Sequence, residues 1–487
     1  MLAFISALDV AIITTALPTI TDNIGGARQY VWIANSFTVA SSVLQPLFGQ
    51  LGDLFGQRTH IISSVALFAI GSGVAGGANN AGALIAGRTI QGAGAGGVYV
   101  LLNIICYDLM PLQERRKYLG LMFSWSSIAT ALGPPHWIFW LNIPVCGLAL
   151  GELLMFMRMK KGHNNIEKRG IVEKVRRLDI VGNLIFMPSM ISLLIGLVEG
   201  GTEYPWSSWR IIVPLVLGVV GWICFHTHQV FARYPSVPPR LFGNRTSATA
   251  LFLTFTSSVL VQALSYFLPV YFQAVQSTTA LDSGTLFLPF AMGSLAFAVA
   301  AGILLSKFGK YKPLHGAAFA LSSIAFGLLT LLGPIIPKVA YVWYELIASA
   351  GAGLVLSVLL LAVMAPLPEN YVASASATYS CIRTFGYIYG VGPSLVRNTF
   401  STALWNEIAE VYVRSLRVIW LVCLGISLVS FFAVWIQRGL ELRKEHETEY
   451  GLNEPKMADT SGNEKHQEGD SVESEEHSSP ALKTDRY

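Results

Sequence analysis

Apolar stretches long enough to cross a membrane recur along most of this chain, and no other feature constrains its fold as strongly. A helix rises about 1.5 Å per residue, so about 20 apolar residues span the hydrocarbon layer of a bilayer. Of the 487 residues, 53% are hydrophobic and only 13% are charged. So few charges cannot cover the surface of a water-soluble core of this size. The sequence therefore predicts an all-α polytopic membrane protein.

The apolar stretches fall into groups separated by polar loops, with about fourteen predicted spans in all. A final segment rich in Glu, Lys, Ser and His cannot bury a core and is predicted to be disordered. The predicted organisation is a span group at 1–157, a basic loop at 158–178, two spans at 179–230, a linker at 231–247, a second span group at 248–437 and an acidic tail at 438–487.

Lys and Arg are distributed unequally among the short loops. They concentrate at Arg58 and within 115–117, 158–177, 233–245 and 307–312, and they are sparser in the alternate loops. Basic loops stay in the cytosol, so both termini are predicted to be cytosolic. The basic membrane-embedded part favours the anionic inner leaflet of the lipid bilayer as its partner, rather than nucleic acid.

Residues 49–58 form a glycine-rich loop with the order G-x-L-x-D-x-x-G-x-R. Gly49 and Gly56 allow helix ends to approach closely, and Asp53 can cap a helix N-terminus or pair with Arg58. The plainest interpretation is a tight cytosolic turn. The ordered pattern, however, strongly resembles the signature loop of the major facilitator superfamily. That resemblance implies a conformational latch between cytosolic helix ends, formed here by Gly49, Asp53, Gly56 and Arg58.

Arg88 precedes a run of glycines inside a predicted span. The glycines also match G-x-G-x-x-G, but no strand precedes them, so a dinucleotide site is not expected. Gly92, Gly94 and Gly96 instead predict a close helix-packing face. A cation in a span either faces a polar cavity or extends to the interface. The segment is similar to the superfamily's R-x-x-x-G-x-G element, whose Arg is associated with proton coupling.

Asp9 is an acid within the first predicted span, about 12 Å along the helix from Met1. A carboxyl in the hydrocarbon layer can exchange a proton during transport, whereas one at the interface would remain solvated. The surrounding L-D-x-A-I-x-x-x-A-L-P stretch resembles the corresponding element of 14-span drug:proton antiporters. Asp9 and Arg88 are therefore the predicted proton-coupling pair.

The resemblance to fungal 14-span efflux pumps extends over nearly the whole chain, including residues 239–247, 266–273, 309–315 and 383–386. It implies the major facilitator fold, with two six-helix halves plus two extra central helices. Substrate would bind between the halves and rocking would alternate its access.

Polar and aromatic side chains within the spans are candidates for the cavity lining. Each one is also explained by an ordinary helix–helix hydrogen bond or an interfacial ring, and Arg383 either balances a carboxylate or substrate or anchors an interface. The predicted substrate cavity comprises Asn35, Gln45, Gln91, Gln262, Tyr266, Tyr271 and Arg383, with Gln273 as a further candidate.

The sequence contains no H-E-x-x-H, G-x-x-x-x-G-K-[ST] or G-x-S-x-G motif and no C-x-x-C pair. Neither an enzyme, a cofactor nor a metal site is therefore predicted. The expected function is a plasma-membrane secondary transporter that exports a small amphipathic molecule, such as a toxin, drug or secondary metabolite, in exchange for protons. The alternatives are an importer of siderophores or nutrients, a membrane receptor, and a transport-defective paralogue or incorrect gene model.

Residues 132–140, LGPPHWIFW, interrupt an otherwise apolar region. Gly133 and Pro134 match the Gly-Pro helix-packing element of the antiporters, and a Trp-rich start to the next span follows directly. The paired glycines and the intervening loop of that family are missing. A helix-breaking hinge is one interpretation, and His136 has no metal-binding partner in the sequence. The prediction is a missing segment after Pro135.

Overall fold

The computed structural model describes residues 29–109, 138–156, 170–201, 203–356, 358–368, 371–389 and 402–439. Asp9, Gly133, Pro134 and His136 lie outside these residues, as do the first predicted span and most of the acidic tail. Within the described part, the secondary structure is helical, apart from one isolated bridge between Gly200 and Tyr204.

The helices before the linker form an N-terminal group and a central hairpin. The N-terminal group comprises α1 (Tyr30–Phe55), α2 (Gln57–Gly76), α3 (Ala81–Leu109) and α4 (Ile138–Phe156). A short basic helix, α5 (Ile171–Arg176), leads into the central hairpin, α6 (Ile180–Glu199) and α7 (Trp209–Phe231).

The helices from the linker onward form a C-terminal group. In chain order they are α8 (Arg240–Gly243), α9 (Arg245–Ala274), α10 (Ala280–Leu286), α11 (Leu288–Phe308), α12 (Lys312–Leu329), α13 (Lys338–Leu356), α14 (Leu359–Met364), α15 (Val372–Tyr389) and α16 (Thr402–Val434).

Seven helical segments in the described residues are long and apolar enough to cross a membrane, which confirms the predicted all-α multi-pass architecture. They are Gln57–Gly76, Ile180–Glu199, Trp209–Phe231, Arg245–Ala274, Asp282–Leu305, Lys338–Met364 and Glu410–Val434.

Glycines in α3 determine how the N-terminal group packs. Added β-carbons at Gly92 and Gly96 would collide with the backbone of α1 at Phe37 and Ser41. At Gly94 an added β-carbon would lie 2.5 Å from the backbone nitrogen of Phe68 in α2. Helix α3 therefore contacts two neighbours at backbone distance, and this close packing places the side chains of its other faces precisely.

The central hairpin is anchored at one end by Asp179. The carboxylate caps α6 through the Gly182 amide at 2.8 Å, and it accepts hydrogen bonds from Gln229 Nε2 at 2.6 Å and Ser236 Oγ at 3.0 Å. Asp179 is almost fully buried, and these donors satisfy it. Because Ser236 belongs to the segment after α7, this one side chain joins both hairpin helices to the linker.

The C-terminal group has the larger apolar core, in which α13 packs between α11 and α12, and α9 packs against α15 and α16. Helix α15 also contacts α1 and α3 of the N-terminal group. By contrast, only 17% of the apolar stretch of α7 is buried within the protein. Its remaining surface is suited to contact with lipid.

Candidate functional site

A buried polar seam joins α15 to the N-terminal group. Gln45 Nε2 of α1 donates to Thr384 Oγ1 at 3.0 Å, and Asn103 Nδ2 of α3 donates to Ser380 Oγ at 3.2 Å. Ser380 and Thr384 lie one turn apart on α15, so they face the same side. These two hydrogen bonds give the Gln45 and Asn103 amide groups partners on α15 in an apolar setting.

Arg383 lies beside this seam and is surrounded by phenol rings. Its Nε donates to the Tyr387 hydroxyl at 2.8 Å, and its guanidinium carbon lies 5.6 Å from the centre of that ring. Tyr379 on the same helix and Tyr99 on α3 interact with it electrostatically. A planar cation framed by aromatic rings can orient either an anionic group or an aromatic surface of a ligand.

The glycine-rich loop at 49–58 contains both close helix approaches and a sharp turn. Gly56 has a backbone φ angle of 94°, a conformation that residues with a β-carbon rarely adopt. Arg58 donates to the Leu154 carbonyl oxygen at 3.1 Å, near the end of α4, where a cation favourably meets the helix C-terminus. Asp53 is exposed near the end of α1, three residues before the Gly56 turn.

Arg88 lies in the interior of the N-terminal group, only 1% exposed. Its guanidinium donates to Gln91 Oε1 at 2.9 Å, and Gln91 Nε2 donates in turn to Ser72 Oγ at 2.9 Å. The guanidinium carbon also lies 4.6 Å from the ring centre of Phe37. The structure therefore places Arg88 in a buried network between α1, α2 and α3, not at an interface with water.

The other predicted cavity residues lie on α1 and α9. Asn35, Gln262 and Tyr266 are partly buried on α1 and α9. Tyr271 is buried in the C-terminal group, where its hydroxyl donates to the Gly333 carbonyl at 2.8 Å. Gln273 Nε2 donates to Ser283 Oγ at 3.4 Å, beside the short helix α10.

Three seam residues were not among the sequence-based candidates: Asn103, Ser380 and Thr384. Small polar residues are common in membrane helices, and no motif distinguishes these from others. The available sequence signal is the one-turn spacing of Ser380 and Thr384, which predicts a shared face but not the helix that this face contacts.

The helices are apolar and long enough to span a membrane, and they form two groups that meet at a buried polar seam. These features define a multi-pass α-helical membrane protein of the transporter type. The family model of the Major Facilitator Superfamily matches residues 1–391. The chain therefore belongs to the major facilitator superfamily, as its sequence motifs predicted.

Two fungal relatives are similar over nearly the full chain. The chain is 40% identical to MFS-type transporter gkaD of Penicillium citrinum over 503 residues, covering 93% of this chain and 85% of the relative. It is 37% identical to MFS efflux transporter aclA of Aspergillus oryzae, covering 92% of this chain and 90% of the relative.

Solved structures show the same fold at low sequence identity. The human organic anion transporter MFSD10 has a TM-score of 0.60 and 16% identity, covering 89% of this chain and 98% of that structure. The proton:xylose symporter XylE has a TM-score of 0.59 and 13% identity, covering 89% of this chain and 94% of that structure.

Proposed function

We propose that this protein is a secondary active transporter that exports a small amphipathic molecule by alternating access. The observation that carries the proposal is the buried seam of Gln45, Asn103, Ser380 and Thr384 between the two helix groups. A few hydrogen bonds at such an interface can form in one conformation and break in another. Beside the seam, Arg383 and its tyrosines provide a polar and aromatic surface for a substrate.

The direction of transport is inferred from the relatives. Besides the Aspergillus oryzae efflux transporter, two Gibberella relatives named efflux pump FUS6 are 34% identical over 93% of this chain. Their names support export, and we propose the plasma membrane as the site, with both termini in the cytosol. An importer of siderophores or nutrients on the same fold is the second candidate, because the major facilitator fold also serves a proton:xylose symporter.

The proposed energy source is the proton gradient. Buried Arg88 is held by Gln91 in the N-terminal group, where it can respond to a change of charge on a nearby acid. Asp9 is the acid proposed for this role, and it lies outside the described residues. Moving one charge across 100 mV is worth about 2.3 kcal/mol, so coupling to one proton provides a useful driving force.

The test is efflux of Nile red, an amphipathic fluorescent probe, together with growth on a panel of amphipathic toxins, in a yeast host that lacks its own pumps. We expect lower probe accumulation and greater toxin tolerance in cells that express the protein, with both effects lost in Asp9→Asn and on collapse of the proton gradient. Counterflow of labelled substrates in oriented vesicles separates export from import. Accumulation and tolerance equal to the empty host would contradict export.

A transport-defective chain is an alternative that a specific observation favours. The alignment with the Penicillium citrinum relative is 503 residues long. It covers 93% of this chain, which has only 487 residues. The relative therefore contains internal residues with no counterpart here, as a missing segment after Pro135 would require. Sequencing the transcript tests this: a verified message that encodes 132–140 unchanged would remove the alternative of an incorrect gene model.

A further inference from the structure

Glu345 is an acid in the apolar core of the C-terminal group. It lies seven residues after the start of α13, about 10 Å along the helix, and its side chain is fully buried. Among the described residues, no Lys, Arg or His forms an ion pair with it. Neither carboxyl oxygen has a hydrogen-bond partner of normal geometry in that part of the chain. The seam and the Arg88 network do not involve this residue.

The carboxyl is at the contact between α13 and α11. Glu345, Ser349 and Gly353 form a stripe along one side of α13. An added β-carbon at Gly293 of α11 would collide with Ser349 Oγ, and one at Gly353 would lie 2.8 Å from Phe297 Cβ. At the Glu345 end of this stripe, the backbone of Phe290, in the first turn of α11, interacts electrostatically with the Glu345 carboxyl.

Two opposing influences act on the charge of this carboxyl. Burying an ionised carboxylate without a cation costs several kcal/mol, which favours the protonated acid. The backbone of Phe290 acts in the other direction and favours the ionised carboxylate, but this influence is smaller than that of burial. The closed packing therefore favours a bound proton, whereas opening the α11–α13 contact to water would release it.

The titratable groups around Glu345 are phenols. Tyr341, one turn earlier on α13, interacts electrostatically with Glu345 and also with Tyr271 of α9. The Tyr271 hydroxyl accepts a hydrogen bond from Gln276 at 3.2 Å, in the segment after α9. These hydroxyls lie between the loop side and the acid. The charged or ionisable groups of α11 and α12 lie toward the opposite helix ends: Lys307, Lys312 and His315.

We propose that Glu345 is a proton-binding site in the C-terminal group, loaded when α11 and α13 are packed together and emptied when their contact opens. The proposal rests on the proposed transport function and extends it, because Arg88, the described member of the motif-based coupling pair, lies in the N-terminal group. With the predicted orientation, the starts of α11 and α13 face the outside, from which protons would enter an exporter. The bound proton moves between solvent and the Glu345 carboxyl oxygen, and no other bond changes.

The first test is infrared difference spectroscopy of the purified full-length protein in lipid nanodiscs, recorded between mildly acidic and mildly alkaline buffer. We expect acidification to produce a carbonyl-stretch band of a protonated carboxyl that is lost in Glu345→Gln. The matched control is Glu410→Gln, because the Glu410 side chain is 67% exposed and pairs with Arg414. That variant should keep the band.

A band equally strong in Glu345→Gln and in the wild type would overturn the proposal, because Glu345 would then not contribute to the band. A carboxyl that stays protonated throughout the range would overturn it as well. If Glu345→Gln does not fold, Glu345→Asp keeps an acid and should shift the band without removing it.

The second test uses the full-length protein in liposomes with Nile red and an imposed pH gradient. We expect Glu345→Gln to lose the acceleration of Nile red efflux by the gradient while keeping exchange without a gradient. Acceleration equal to the wild type would contradict a role for Glu345 in coupling. The infrared band needs no substrate, so its outcome does not depend on whether the wild type transports Nile red. Failure of the proposed function is therefore distinguishable from failure of the Glu345 assignment.

Discussion

Gly49 of α1 and Ala377 of α15 pack so closely that a β-carbon at position 49 would lie 2.6 Å from the β-carbon of Ala377. Non-bonded carbon atoms are separated by about 3.5–4.0 Å at optimal contact. The hydrogen bonds to Ser380 and Thr384 follow at about one-turn intervals along α15. The glycine-rich loop is therefore directly adjacent to the contact between the helix groups, which gives its proposed role as a latch a physical basis.

Gly49→Val is expected to disfavour the conformation in which α1 and α15 are in contact, here called the closed contact. Overpacking a tight interface costs about 1–3 kcal/mol, which corresponds to about a 5-fold to 150-fold change in population. Spin labels at the ends of α1 and α15 beside residues 49–58, read by double electron–electron resonance, would measure this shift as a longer distance. The control is Gly425→Val, because a β-carbon at Gly425 would meet nothing within 4 Å. Identical distance distributions in wild type and Gly49→Val would refute the latch.

Gln45 and Thr384 are expected to be energetically coupled in the same equilibrium. Removing either partner with Gln45→Leu or Thr384→Val breaks a buried hydrogen bond of 3.0 Å. Double-mutant cycles for such bonds in membranes average about 0.6 kcal/mol and reach about 1.7 kcal/mol. The spin-label populations of the two single variants and the double variant give the coupling energy. Strictly additive effects would show that this bond does not stabilise the closed contact.

The fold was more predictable than the site because its signals are local. Apolar stretches of span length and the glycines of α3 are visible in sequence, since each reports a requirement of its own neighbourhood. The seam depends on which face of α15 meets α1 and α3, and a single sequence does not specify the rotation of one helix relative to another. Tyr271 illustrates this: it was a predicted cavity residue, but its hydroxyl donates to the Gly333 carbonyl, away from the seam. Glu345 is a visible acid in an apolar stretch, but its contact with α11 is likewise long-range.

Gln91→Leu is expected to destabilise the N-terminal group. The substitution removes an acceptor for the buried Arg88 guanidinium and a donor to Ser72. Loss of a hydrogen bond to a buried charged group costs about 1.5–3 kcal/mol. A lower apparent melting temperature of the purified protein in detergent would report this loss. Thr89→Val on the same helix is the control, because Thr89 is exposed and bonds only within the helix backbone. Equal melting temperatures for Gln91→Leu and Thr89→Val would contradict the prediction.

Substitutions of Asp179 are expected to loosen the linker in a graded order. Asp179→Asn can still cap α6 because Asn and Asp are similar N-caps. With its amide oxygen on the cap, however, its NH2 group takes the place of the oxygen that accepts from Gln229 and Ser236, and an NH2 group accepts from neither. Asp179→Ala loses the cap as well, at about 1 kcal/mol, and each unsatisfied buried donor costs about 1–3 kcal/mol. Hydrogen exchange of residues 232–244 should therefore be slowest in the wild type, faster in Asp179→Asn and fastest in Asp179→Ala. Glu173→Gln, which removes a partly exposed ion pair with Arg177 away from the buried Asp179 cluster, should exchange like the wild type. The same exchange rate in all four proteins would show that Asp179 does not hold the hairpin to the linker.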